Sequence, residues 1–76
     1  MKANKEVAKY YGILEDLLDF FQGKLAELED SFNEKSEKWQ KSDKGEEMQT
    51  TISKLEDAVS NIESAKSDIE DAYEFE

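Results

Sequence analysis

The sequence predicts an all-α fold: an antiparallel two-helix hairpin of coiled-coil type, a single domain over residues 1–76, that assembles with further copies into a helical bundle. Three observations predict it. Large apolar residues recur at alternating spacings of four and three along two long stretches. A short segment between them concentrates turn-forming residues. One of the stretches carries more apolar surface than a single partner helix covers.

The first helix is expected at about 4–42. Its seam reads Val7, Tyr11, Leu14, Leu18, Phe21, Leu25, Leu28, Phe32 and, after Lys35, Trp39. Asn4 stands where an N-cap is wanted, and at 1.5 Å per residue such a helix is ~57 Å long. The turn is expected at about 43–45. There Gly45 suits the left-handed conformation that ends a helix, and Ser42 or Asp43 suits the N-cap of the next. The second helix, at about 46–74, repeats the rule with Met48, Ile52, Leu55, Val59, Ile62, Lys66, Ile69 and Tyr73.

Folding at the turn sets Trp39 near Met48, Phe32 near Leu55, Leu25 near Ile62 and Leu18 near Ile69. The first helix then outruns the second by one or two turns. Lys2, Lys5 and Lys9 come to the end where Glu70, Asp71, Glu74 and Glu76 arrive, and such exposed pairs contribute ~0 to 1 kcal/mol each.

The N-terminal half of helix one carries apolar doublets: Tyr10 with Tyr11, Ile13 with Leu14, Leu17 with Leu18, and Phe20 with Phe21. They cover about half of the helical cylinder. Uncovered, the outer members leave several hundred Å² of contiguous apolar surface, at or above what soluble monomers show. Helix two offers Ala58, Ala65 and Ala72 at heptad spacing beside its seam, small enough for another helix to come close. Tyr10, Ile13, Leu14, Leu17, Phe20 and Phe21 with the three alanines are therefore the expected oligomer interface, a homodimer first. A foreign helix is the other occupant such a surface suits.

Composition narrows the function. The 76 residues carry twenty acids against ten lysines, for a formal charge of -10. Cys, His and Arg are absent, which excludes disulfides, thiolate and imidazole metal sites, and the guanidinium forks that phosphate sites favour. Direct nucleic-acid binding lacks its basic footprint. No apolar run approaches membrane-spanning or secretory length. Neither a cofactor nor a metal is expected, and no nucleophile has a base beside it, so the chain reads as non-catalytic.

Three further candidates stand beside the doublets. Trp39 either closes the end of a small core or serves as a recognition anchor at the turn. Gly12 and Gly23 share a face with Ala8, Glu15, Asp16, Asp19 and Gln22. That face is expected to be the solvent side, either plain or open to close approach of a partner. The helix-two acids, with Glu56, Asp57, Glu63, Asp68, Glu70 and Asp71 as the candidate partner-binding set, are either a solvated face or a negatively charged rod that imitates nucleic acid in a basic groove.

Residues 36–49, reading Ser-Glu-Lys-Trp-Gln-Lys-Ser-Asp-Lys-Gly-Glu-Glu-Met-Gln, resemble a group of small acidic helical-hairpin proteins of bacteriophages and mobile elements. The resemblance covers about half of the chain. It implies a phage accessory protein, a class in which inhibitors of host defence are common, working in the cytoplasm of a bacterial host. A likeness to WXG-type hairpins fails because no Gly stands two residues after Trp39. The expected function is thus a non-catalytic protein-binding module, inhibiting a host protein with a basic or apolar groove through an acidic, nucleic-acid-mimicking surface. The alternatives are a self-assembling scaffold and, less favoured without Arg, sequestration of a small nucleotide between protomers.

Overall fold

The computed structural model describes residues 1–75 and is all-helical. Two long helices, α1 (Lys5–Glu34) and α3 (Asp43–Ala72), pack along their length, joined through a short helix, α2 (Glu37–Gln40). The pair forms a rod 54 × 15 × 13 Å. The long helices run in opposite directions: Tyr11 reaches Glu70, Glu15 reaches Lys66 and Gln22 reaches Glu63.

Each helix begins on a side-chain cap. The Asn4 carboxamide oxygen accepts from the Val7 backbone N–H at 2.8 Å, the Ser36 hydroxyl from Trp39 at 3.2 Å and the Ser42 hydroxyl from Gly45 at 3.3 Å. Such caps satisfy donors that the first turn leaves unpaired, each for about 1 kcal/mol. Asn4 and Ser42 do what their positions in the sequence suggest.

The connection differs from expectation. Helix one ends at Glu34 rather than near 42, and the turn near 43–45 gives way to an eight-residue link over 35–42 containing α2. Lys35 and Ser36 are extended, with ψ 153° at both. The Gln40 side-chain amide donates to the carbonyls of Phe32 at 2.9 Å and Lys35 at 3.1 Å, closing the C-terminal end of α1. Periodicity conceals this break because Trp39, seven residues past Phe32, still lands edge-on against it at 6.4 Å.

Gly45 is also not a left-handed terminator. It lies inside α3 with a negative φ and is buried. A Cβ there would collide with the backbone carbonyls of Trp39 and Gln40, so glycine is needed for close approach and not for backbone handedness.

The longer link changes the pairing beside it. Phe32 shares a cleft with Ile52, and Leu14 shares another with Ile69 and Tyr73. Phe32 with Ile52 lies about one turn from the expected Phe32 with Leu55, whereas Leu14 with Tyr73 keeps the expected offset. No overhang of helix one results, because α1 and α3 are 30 residues each. Residues 1–3 instead pair with the chain beyond α3. Ala3 N–H donates to Glu74 at 3.0 Å, Glu74 N–H to Met1 at 2.8 Å, and Lys2 and Glu74 form a parallel bridge.

The core is thin. Among the described residues, Leu18, Ile52 and Val59 are its buried apolar side chains, at 7 to 9% exposure, and none is fully enclosed. Among the described residues, no helix is long and apolar enough to cross a membrane.

Candidate functional site

Relative to the seam, the seven-residue repeat writes two flanking lines on each helix, and the antiparallel pairing brings like lines together. One flank of the rod is apolar. On α1 it holds Tyr10, Ile13, Leu17 and Phe20, exposed by 59, 45, 42 and 56%. On α3 helical spacing puts Ala58, Ala65 and Ala72 on the same flank, all exposed. Leu14 and Phe21, expected in the oligomer interface, are half-buried and belong to the seam against α3, so they back the stripe rather than form it.

The stripe has finished ends. Phe20 meets Phe21 edge-on at 5.1 Å. Lys9 lies over the Tyr10 ring and Lys24 over the Phe20 ring, both 5.5 Å from the centroid. Beside Tyr10 an open groove of about 390 Å³ runs between the helices, walled by Val7, Tyr11, Leu14, Ile69 and Tyr73, with Glu6 at its rim.

The opposite flank is a ladder of acids. Glu15 and Glu70 share Lys66, at 3.6 and 3.9 Å, and the Tyr11 hydroxyl donates to Glu70. Next, Gln22 donates to Glu63 at 3.0 Å. Then Glu29 and Glu56 line one cleft together, on opposite helices. Lys66 interrupts the apolar seam and, half-buried, is the cation that holds the first rung.

Electrostatics follow from this crowding. Burial, the hydrogen bond to Glu56 and the charges of Glu56 and Asp30 push the Glu29 carboxyl above the usual range. Donation to Glu70 is the main cause that pushes the Tyr11 phenol up to about 12, with desolvation and the charges of Glu70 and Glu15 behind it. Among the described residues, no three potential metal ligands converge.

The ladder corrects one expectation and divides another. Glu15 and Gln22 are not on a free solvent side, since both engage α3. Gly12 and Gly23 do face open space. Of the six acids expected to bind a partner, Glu56, Glu63 and Glu70 stand in the ladder. Spacing places Asp57 and Asp71 on the back of α3 and Asp68 toward the other flank. Trp39 is half-buried against Phe32 with Lys35 over its ring at 5.3 Å, closing the end of the rod.

Reading the apolar seam alone misses the ladder. The signal that finds it is the recurrence of Glu15, Gln22 and Glu29, and of Glu56, Glu63 and Glu70, every seven residues. Comparison of the chain with family models, curated proteins and solved structures finds no match.

Proposed function

We propose that this chain is a non-catalytic protein-binding module whose working surface is the apolar flank of α1. One observation carries the reading: four large apolar side chains stand 42 to 59% exposed in one line, while the core holds three buried ones. Covering the exposed half of each large side chain stabilises by about 1 kcal/mol. A small domain with so little interior gains more from a partner than from its own packing.

The test is sedimentation of the purified chain alone and of the chain added to bacterial lysate, beside a variant with Ile13→Asp and Leu17→Asp. The unaltered chain is expected in an assembly in at least one condition, and the variant in neither, with its helical circular dichroism retained. A chain that sediments as a free monomer in both conditions contradicts the reading.

The ladder favours a second reading, occupation of a basic groove, as in the host-inhibitor role that the phage resemblance implies. Its support is regularity: carboxylates repeat every seven residues, about 10 Å, along one side of a rod. Binding of that kind falls steeply as salt shortens the reach of exposed charge. A complex that persists unchanged from low to high ionic strength excludes the ladder as its basis.

A further inference from the structure

The apolar stripe ends in opposite charges. Along the line through Tyr10, Ile13, Leu17 and Phe20, the next position toward the N-terminus is Glu6 and the next toward the C-terminus is Lys24, each four residues beyond the last apolar side chain. Both belong to the line in space as well. Glu6 borders the groove beside Tyr10, and the Lys24 ammonium lies over the Phe20 ring.

We infer that the occupant of the stripe is the same stripe of a second copy of this chain, running antiparallel about a two-fold axis midway between Ile13 and Leu17. The inference rests on the binding-module reading and names its partner. About that axis, Ile13 faces Leu17 of the other copy and Tyr10 faces Phe20. Each Phe20 ring is delivered to the groove walled by Val7, Leu14, Ile69 and Tyr73, which is open and apolar. Glu6 of each copy meets Lys24 of the other, twice per dimer.

Charge decides the direction. A parallel pairing lays Glu6 on Glu6 and Lys24 on Lys24, and like charges across an interface oppose association. The antiparallel pairing satisfies both ends with one contact type, as a two-fold interface requires. Lys24 is already drawn toward the stripe's end, 3.2 Å from Glu27 of its own helix, with half of its side chain exposed to receive a second carboxylate.

Size sets the strength. About that axis the two copies of α1 overlap over residues 5–25, roughly 30 Å at 1.5 Å per residue, and on a rod 15 Å wide this presents on the order of 450 Å² per copy, the range of a weak, concentration-dependent pair. Ala58 and Ala65 on that face keep α3 from holding the copies apart. One feature opposes the pairing: helical spacing brings Asp16 of both copies together beside the axis, a repulsion the apolar contact must exceed.

The experiment uses the full chain, which contains no cysteine. Glu6→Cys and Lys24→Cys variants are prepared separately, confirmed helical, then oxidised alone and mixed. The mixture is expected to give a covalent dimer rapidly, and each variant alone to give little. In parallel, sedimentation of Glu6→Lys or Lys24→Glu is expected to show dimerisation weakened about tenfold at low salt, with the doubly reversed chain restored to within about threefold of the original.

Glu6→Cys coupling to itself as fast as to Lys24→Cys overturns the antiparallel arrangement. A purified chain that remains monomeric at millimolar concentration overturns the second copy as occupant. In that last case the lysate arm above still reports separately on whether the stripe binds some other protein.

Discussion

The two flanks of the rod are written by the same seven-residue repeat and carry opposite chemistry. On one, Tyr10, Ile13, Leu17 and Phe20 lie in water with lysines folded over the rings at either end. On the other, five glutamates face one another across the helix pair, with Lys66 the cation between the first two. The apolar flank loses free energy by being exposed and is relieved by a partner. The acidic flank is crowded with like charge and repels its own kind. A helix pair with one attractive and one repulsive side associates on a single side. The proposed assembly would therefore close at a small number of copies instead of growing.

The comparison breaks most readily at the stripe. Ile13→Asp with Leu17→Asp removes on the order of 2 kcal/mol of apolar contact from any complex formed there and adds two charges to it, at least a tenfold loss in affinity. The mirror change, Glu56→Gln with Glu63→Gln, is expected to leave self-association within about threefold in the same sedimentation experiment. If the glutamine variant dissociates the assembly instead, the working face has been misassigned.

Protonation sharpens the contrast on the acidic side. Glu29 holds a proton more readily folded than unfolded, because burial and Glu56 raise its carboxyl. Between the ordinary value of 4.5 and that raised value the folded chain binds more protons, so stability falls as pH rises through the window. Thermal melts are expected to show a gain on mild acidification that shrinks in Glu29→Gln. An equal gain in that variant assigns the effect to overall charge instead of to this rung.

The smallest effect is at Tyr11. Of three tyrosines, one should titrate late by ultraviolet absorbance, at about 12, and Tyr11→Phe should delete that late step. Stability linked to this phenol is complete below the ordinary value of 10.0 and is lost as pH rises through the raised one. A uniform titration of all three phenols means that Tyr11 does not donate to Glu70.

How much of this was legible in the sequence varies with the kind of signal. The four-three recurrence identifies two long helices and their seams, because the apolar stripe and the helical period are a single physical fact. Asn4 and Ser42 are readable as caps for the same local reason. The break at 35–36 is not readable from periodicity, since Trp39 falls back on Phe32 from a separate short helix and continues the count. Gly45 misleads because glycine serves both handedness and close approach, and only the fold shows the Trp39 and Gln40 carbonyls against it. On the candidate site, the exposed stripe follows from the doublets. The Glu29 and Glu56 rung is written in the seven-residue recurrence of acids beside the seam, a signal that counting apolar residues passes over.

The close approach at Gly45 also bears on the order in which the molecule folds. The corner built from Ser36, Gln40, Ser42 and Gly45 is closed by hydrogen bonds between residues at most eight apart, whereas Tyr11 and Glu70 meet across 59 positions. Phe32 and Ile52 lie between these extremes, at about a third of the longer separation. Closing the longer loop costs about 1 kcal/mol more in chain entropy than closing theirs. Contacts then form in sequence from the corner outward, each shortening the loop for the next, and the helix pair zips toward its termini. Pulsed hydrogen exchange should find protection first in α3 beside Ile52 and last in the Ala3 and Glu74 amides, and the reverse order would place the nucleus at the other end. A chain that closes in this direction keeps its apolar stripe, near the far end, unformed until nearly the last step, so that the association proposed for it would follow folding and not compete with it.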